Sequence, residues 1–119
     1  MSLPLTPGHV IHLAAIDVNL EPLPSHQVVS GLPATGFVEL GDIGAVDIGV
    51  WEHSVGVSTD IETDEVFVVV SGRATIEIFG DNAATVNVGP GDMLRFEAGD
   101  STRWTVSETL RKVYLIPQD

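Results

Sequence analysis

The middle of the chain reads Val66-Phe67-Val68-Val69-Val70-Ser71-Gly72-Arg73-Ala74-Thr75-Ile76-Glu77-Ile78. Residues 66–70 are all apolar, which is typical of a strand that is covered on both faces. Residues 73–78 alternate between polar and apolar side chains, which is the pattern of a strand with one buried face. The stretch therefore predicts two β-segments, the first of which ends in a turn at Gly72.

The segments on the C-terminal side of this stretch continue the same pattern. Alternation recurs at 85–88 and at 103–107, while Gly80-Asp81-Asn82 and Gly89-Pro90-Gly91-Asp92 have the composition of tight turns. No segment of ten or more residues has the 3.6-residue period of an amphipathic helix. The chain is therefore predicted to be all-β, with many short antiparallel strands closed into a sandwich or a jelly-roll barrel.

The N-terminal part has a weaker pattern. We predict a strand at Val10 to Ile16 and an extended segment from Glu21 to Pro33. Residues 1–35 are predicted to form an arm that packs on the barrel or on a second copy, and residues 36–119 the barrel itself. A structural role as an interaction module is one hypothesis, because a homodimer would cover exposed barrel edges.

Composition excludes several classes of partner. The chain has 119 residues, a formal net charge of −12 and no cysteine. An acidic surface does not suit nucleic-acid phosphates or anionic lipids, and the absence of cysteine removes disulfides and thiolate chemistry. No apolar run approaches the length of a membrane span, and the N-terminus lacks a basic signal segment. We expect a cytoplasmic protein that binds neither nucleic acid nor membrane.

Five short motifs, taken in order, resemble the cupin superfamily. They are Gly49-Val50-Trp51-Glu52, Asp64-Glu65-x6-Gly72-Arg73, Gly89-Pro90-Gly91-Asp92, Trp104 and Arg111-Lys112-Val113-Tyr114. They look most like the small single-domain cupins related to (S)-ureidoglycine aminohydrolase. The resemblance implies a double-stranded β-helix with a ligand site inside the barrel. It also implies one possible activity, the metal-dependent release of ammonia from a ureide-type substrate, and leaves open whether this chain is an enzyme.

The resemblance also identifies where metal ligands would lie. Metal-binding cupins hold an ion with three histidines and one glutamate, and the glutamate position corresponds to Glu65. The two histidine positions before it fall on Ser58 and Asp60, or with shorter spacing on Thr59 and Ile61, and the third falls on Thr102. Because the histidines are missing and hydroxyls are poor ligands, we predict no transition metal and no cofactor. An oxygen-only set built on Asp60 and Glu65 would suit Mg²⁺ or Ca²⁺ better than zinc, and the sequence leaves that alternative open.

The candidate site follows from these motifs and from strand parity. Lys112 and Tyr114 share a strand face with Leu110, which favours the barrel interior for all three. Glu65 is either a ligand or general base, or a buried carboxylate paired with an Arg or Lys. The acidic segment 60–65 is either a solvated loop or the mouth of the barrel. The candidate catalytic residues are Glu65, Lys112 and Tyr114, and the candidate ligand-binding residues are Trp51, His53, Ser58, Asp60, Phe67, Thr102 and Trp104.

Two functions follow for these residues. The first is the binding of a small polar ligand in the barrel without a His-ligated metal, and the alternative is the ureide-type enzyme. The aromatic members would form walls of a ligand site in either case, or they would simply pack the core.

Overall fold

A computed structural model describes residues 3–118, and it is built almost entirely from strands. Two 3₁₀ turns, Leu13–Ala15 and Ser25–Gln27, lie in the N-terminal segment. The strands are β1 (Glu21–Pro22), β2 (Val28–Ser30), β3 (Ala34–Ile43), β4 (Val46–His53), β5 (Gly56–Ile61), β6 (Glu65–Phe79), β7 (Ala84–Val88), β8 (Met93–Phe96) and β9 (Ser101–Pro117). No helix within residues 3–118 is long and apolar enough to cross a membrane.

Strands β6 and β9 form the centre of the fold. They pair antiparallel over nearly their whole length, from Val66 opposite Leu115 to Phe79 opposite Ser101. The free edge of β6 pairs with β8 and then β7, and the free edge of β9 pairs with β5 and then β4. All these pairings are antiparallel, and the sheet curls around one interior. The all-β, jelly-roll prediction is confirmed.

The turn predicted at Gly72 is a bend within one strand. Gly72 has φ +87°, a value that L side chains rarely adopt, and a Cβ at this position would overlap the carbonyl oxygen of Thr109 on β9. The register between β6 and β9 shifts on both sides of this point. Glycine therefore lets β6 bend while it stays paired with β9, so the two predicted segments remain one element.

The core explains the two hydrophobic patterns in β6. Phe67, Val69 and Ile76 point inward and are at most 2% exposed. Val66 and Val68 on the outer face are half-buried. The uninterrupted apolar run therefore has a fully covered inner face and a partly covered outer face.

The turns predicted on the C-terminal side of β6 are confirmed. The N–H of Ala83 donates to the carbonyl of Gly80 at 3.1 Å, which closes the β6–β7 hairpin. The N–H of Asp92 donates to the carbonyl of Gly89 at 3.0 Å, and Gly91 has φ +90°. Proline followed by a positive-φ glycine is the signature of a type II turn.

The N-terminal segment differs from the prediction at one place. Val10 to Ile16 contains a 3₁₀ turn and no strand, so the predicted strand is wrong. No strand edge in the described part of the chain pairs with this segment; instead the carbonyl of Leu13 accepts a hydrogen bond from Arg111 Nη1 at 2.7 Å. Residues 21–33 supply two short edge strands, β1 against β3 and β2 against β5. The division at residue 35 falls within β3, and it stays a prediction.

Candidate functional site

A cavity of about 460 Å³ opens into the curled sheet. Strands β3, β4, β5, β6 and β9 contribute its walls. Its lining includes eight of the ten residues that the sequence nominated, namely Trp51, His53, Ser58, Asp60, Glu65, Trp104, Lys112 and Tyr114. Phe67 and Thr102 are fully buried but do not line the cavity.

A buried ion pair forms one wall of the cavity. Lys112 on β9 and Glu65 on β6 bring Nζ and Oε2 to 2.5 Å, with side chains that are only 5% and 8% exposed. The parity argument for β9 is confirmed, since Leu110, Lys112 and Tyr114 are all buried. Of the two structural possibilities for Glu65, the structure shows a carboxylate paired with a lysine.

Aromatic rings surround the Lys112 ammonium. Its Nζ lies 4.4 Å from the ring centroid of Phe67, 4.5 Å from that of Trp51 and 5.1 Å from that of Trp104. Phe96, a residue that the sequence did not nominate, is a fourth neighbour at 5.8 Å. At these distances the ring faces attract a cation, so they help to offset the cost of burying the ammonium.

His53 and Ser58 form a second polar group. Nδ1 of His53 donates to the carbonyl of Ser54 at 2.6 Å, and Nε2 lies 2.8 Å from Oγ of Ser58. Burial lowers the pKa of His53, although the backbone hydrogen bond opposes this effect. The histidine is therefore neutral at pH 7, and its Nε2 accepts the Ser58 hydroxyl.

Glu62 belongs to the cavity wall, whereas the solvated-loop interpretation placed it in water. Its Oε2 accepts hydrogen bonds from Thr102 Oγ1 at 2.7 Å and from Trp104 Nε1 at 3.1 Å. Burial raises the pKa of Glu62, an effect that these bonds and the charge of Lys112 oppose. The sequence contained one signal for this contact: if Trp104 is buried, its N–H needs a hydrogen-bond acceptor.

The mouth of the cavity is polar and acidic. Asp60 is exposed there, and its Oδ1 accepts the N–H of Ile61 at 2.8 Å. Tyr114 also lines the cavity, within the electrostatic influence of Glu39 and Asp47. Burial is the main cause that raises the pKa of the Tyr114 hydroxyl. The negative charges of Glu39, Asp47 and Glu65 raise it further.

The residues at the cupin metal positions do not fit a transition metal. The carboxylate of Glu65 is bonded to Lys112, and the hydroxyl of Thr102 is bonded to Glu62. Across residues 3–118, no three His, Asp or Glu side chains lie close enough together to hold a metal ion. The side chains of Glu65 and Thr102 are therefore engaged with other residues of the wall, and they belong to no group that could hold a metal ion within residues 3–118.

Comparison with known families gives one match that covers most of the chain. The model of the EutQ-like cupin domain matches residues 40–114, which run from β3 to β9 and include most of the cavity wall. No curated protein sequence matches the chain.

Solved structures share the fold at low sequence identity. The EutQ protein of Clostridium difficile is 18% identical, with a TM-score of 0.68 over 92% of this chain and 87% of that one. A conserved protein of unknown function from Streptococcus pyogenes is 17% identical, with a TM-score of 0.63 over 100% and 96%. The cupin domain of Cnp3 from Schizosaccharomyces pombe is 14% identical, with a TM-score of 0.65 over 95% and 74%.

Proposed function

Because the chain belongs to the EutQ-like cupin domain family, we propose that it binds a small polar organic ligand in its barrel without a metal ion. The observation that carries the proposal is the cavity of about 460 Å³, which combines aromatic walls with a few polar groups. Sites for small organic molecules have this size and this mixture of surfaces.

The metal-free part of the proposal rests on Lys112. Its ammonium stands 2.5 Å from the Glu65 carboxylate, the position from which a metal-binding cupin would coordinate its ion. The lysine is the cation that balances this carboxylate. A divalent ion would have to displace a buried ammonium from four aromatic rings as well as from the carboxylate.

The polar groups of the wall would orient the ligand. Glu65 accepts hydrogen bonds, the Lys112 ammonium donates them, and the Tyr114 hydroxyl does both. Trp51 offers an aromatic surface beside them, since it lines the cavity and is half-buried. Ser58 and His53 are hydrogen-bonded to each other, so they would define the shape of the cavity more than they would form hydrogen bonds with the ligand.

The second candidate is a ureide-type enzyme that releases ammonia, with Glu65, Lys112 and Tyr114 as catalytic residues. The feature in its favour is that all three side chains line one cavity. The metal that the ureidoglycine aminohydrolase-like reaction would use has no fitting donor set among residues 3–118. This candidate therefore has weaker support than ligand binding. Ammonia release from ureidoglycine by the purified protein, at a rate above the uncatalysed one, would favour it.

A thermal-shift screen tests ligand binding. The purified protein is melted with cationic, neutral and anionic polar metabolites, and at least one class should raise the melting temperature. Trp51→Ala should abolish this increase, and Phe79→Ala, which changes an exposed aromatic residue outside the cavity, should retain it. EDTA should leave the increase unchanged. If no compound shifts the melting temperature, the ligand-binding proposal is wrong, and if EDTA removes the shift, its metal-free part is wrong.

A further inference from the structure

The charges that line the cavity do not balance. Lys112 is the one Lys or Arg side chain among residues 3–118 that lines it, and its charge is matched by Glu65. Five further carboxylates line the same cavity without a salt bridge to any basic residue among 3–118; they are Glu39, Asp42, Asp47, Asp60 and Glu62.

The four arginines of the chain are engaged elsewhere. Arg111 binds Glu52 at 2.8 Å, Arg73 lies 3.5 Å from Glu108, Arg95 3.7 Å from Asp64 and Arg103 4.0 Å from Glu77. None of these arginines lines the cavity. Within residues 3–118, the protein itself therefore has no second cation with which to neutralise the cavity.

The arrangement of the five carboxylates favours an extended cation over a metal ion. Glu39, Asp42 and Asp47 lie on the β3–β4 hairpin, whereas Asp60 and Glu62 lie at the end of β5. As the donor geometry already showed, no three such groups in the described part of the chain are close enough to share a metal. An organic molecule can reach groups that a single ion cannot.

The apolar lining of the same cavity suits the apolar part of such a molecule. Trp51, Phe37 and Ile48 line the cavity and present apolar surface to it. Aromatic faces attract ammonium groups in addition to packing against alkyl chains. The negative charges also act on the wall itself: burial is the main cause of the raised pKa of Tyr114, and the charges of Glu39 and Asp47 add to it.

We propose that the ligand of this cavity is an aliphatic amine, bound as its ammonium ion by the unpaired carboxylates of the wall. The inference rests on the proposed function, since it names the chemical class of the ligand at the same site. It follows from the excess of five carboxylates over available cations and from the aromatic surface of the same cavity. An anionic ligand would meet repulsion from both groups of acids.

Isothermal titration with four-carbon compounds tests the charge preference. The probes are n-butylamine, 1,4-diaminobutane, 1,4-butanediol and succinate, which differ in charge at similar length. The amines should bind, the diol and succinate should not, and added salt should weaken the amines by screening.

Isosteric variants locate the binding. Glu62→Gln and Asp47→Asn each remove one negative charge from the cavity, and each should weaken amine binding about tenfold, which corresponds to about 1.4 kcal/mol. Glu77→Gln is the matched control, because Glu77 is outside the cavity and pairs with Arg103.

Circular dichroism and a melting curve show that each variant is folded. In Glu62→Gln the side-chain amide oxygen can still accept the bonds from Thr102 and Trp104, which the carboxylate accepts in the wild type. Asp47 is exposed, so its replacement by asparagine disturbs no core packing. Both variants should therefore fold.

The outcomes separate the two proposals. Amine binding that falls in both cavity variants and not in the control supports the inference. Equal binding by all three variants overturns it, because the amine would then bind elsewhere. If neutral or anionic compounds bind in the screen and no amine does, the inference fails and the proposed function stands. If no compound of any class binds, both fail.

Discussion

The Lys112–Glu65 pair gives the sharpest prediction about stability. Replacing Lys112 with Met keeps the length and most of the packing of the side chain but leaves the Glu65 carboxylate buried without its cation. Both side chains are less than one-tenth exposed, so water cannot easily replace the lost partner. Breaking a buried pair in this way costs about 3–5 kcal/mol.

The double variant carries the decisive comparison. Lys112→Met and Glu65→Met should each lower the free energy of unfolding by about 3–5 kcal/mol. The combination leaves no unpaired charge, so it should recover most of that loss and come close to the wild-type stability. The reason is that the attraction within the pair mainly offsets the desolvation of two charges.

Urea unfolding followed by tryptophan fluorescence measures these differences. In a thermal melt, a loss of about 3–5 kcal/mol corresponds to a fall in melting temperature of about 12–20 °C, at about 4 °C per kcal/mol for a chain of this length. Arg103→Met and Glu77→Met are the matched controls, because that pair is 45% and 36% exposed with 4.0 Å between Nε and Oε2. Each control should cost about 0–1 kcal/mol. A Lys112→Met variant within about 1 kcal/mol of wild type, or a double variant as unstable as the sum of the singles, would refute the reasoning.

Three further predictions concern the wall and the assembly. The Glu62→Gln variant should gain stability relative to the wild type as pH rises. Burial raises the pKa of Glu62 in the folded state, so the wild type loses stability when the pH increases through that pKa. Urea unfolding at acidic and neutral pH checks this, and an equal difference at both pH values would contradict it. Gly49→Ala should destabilise the fold by about 1–3 kcal/mol, because the new Cβ would overlap the Tyr114 hydroxyl oxygen. An unchanged melting curve would show that the Tyr114 side chain can move aside at no cost in stability. Light scattering at micromolar concentration should give the mass of a homodimer, and a monomer mass would rule the predicted assembly out.

The local pattern of the sequence was sufficient for the strands and turns around β6. Side chains alternate between two faces of any strand, so Ala74, Ile76 and Ile78 had to share one face whatever the fold around them. The same rule placed Leu110, Lys112 and Tyr114 on one buried face of β9. Turn positions such as Gly91 were readable because few residues other than glycine adopt positive φ.

Contacts between distant segments were not readable from these patterns. The segment Val10 to Ile16 has apolar residues that suit a strand, but a strand also needs an edge to pair with, and none among residues 3–118 pairs with it. Gly72 correctly indicated a change in backbone direction. Whether that change ends the strand or bends it depended on β9, whose Thr109 carbonyl lies against Gly72.

The sequence alone determined the fold class, the absence of the three histidine ligands and a short list of site residues. The tertiary structure decided which of those residues meet. It paired Glu65 with Lys112 across strands. The sequence left segment 60–65 as either a solvated loop or the mouth of the barrel, and the structure places Glu62 in the cavity wall, hydrogen-bonded to Thr102 and Trp104. Period-two alternation tells which face a side chain takes, but the curl of the sheet determines which faces share one interior. The net charge of −12 became informative in the same way, because only the fold collects five unpaired carboxylates around a single cavity.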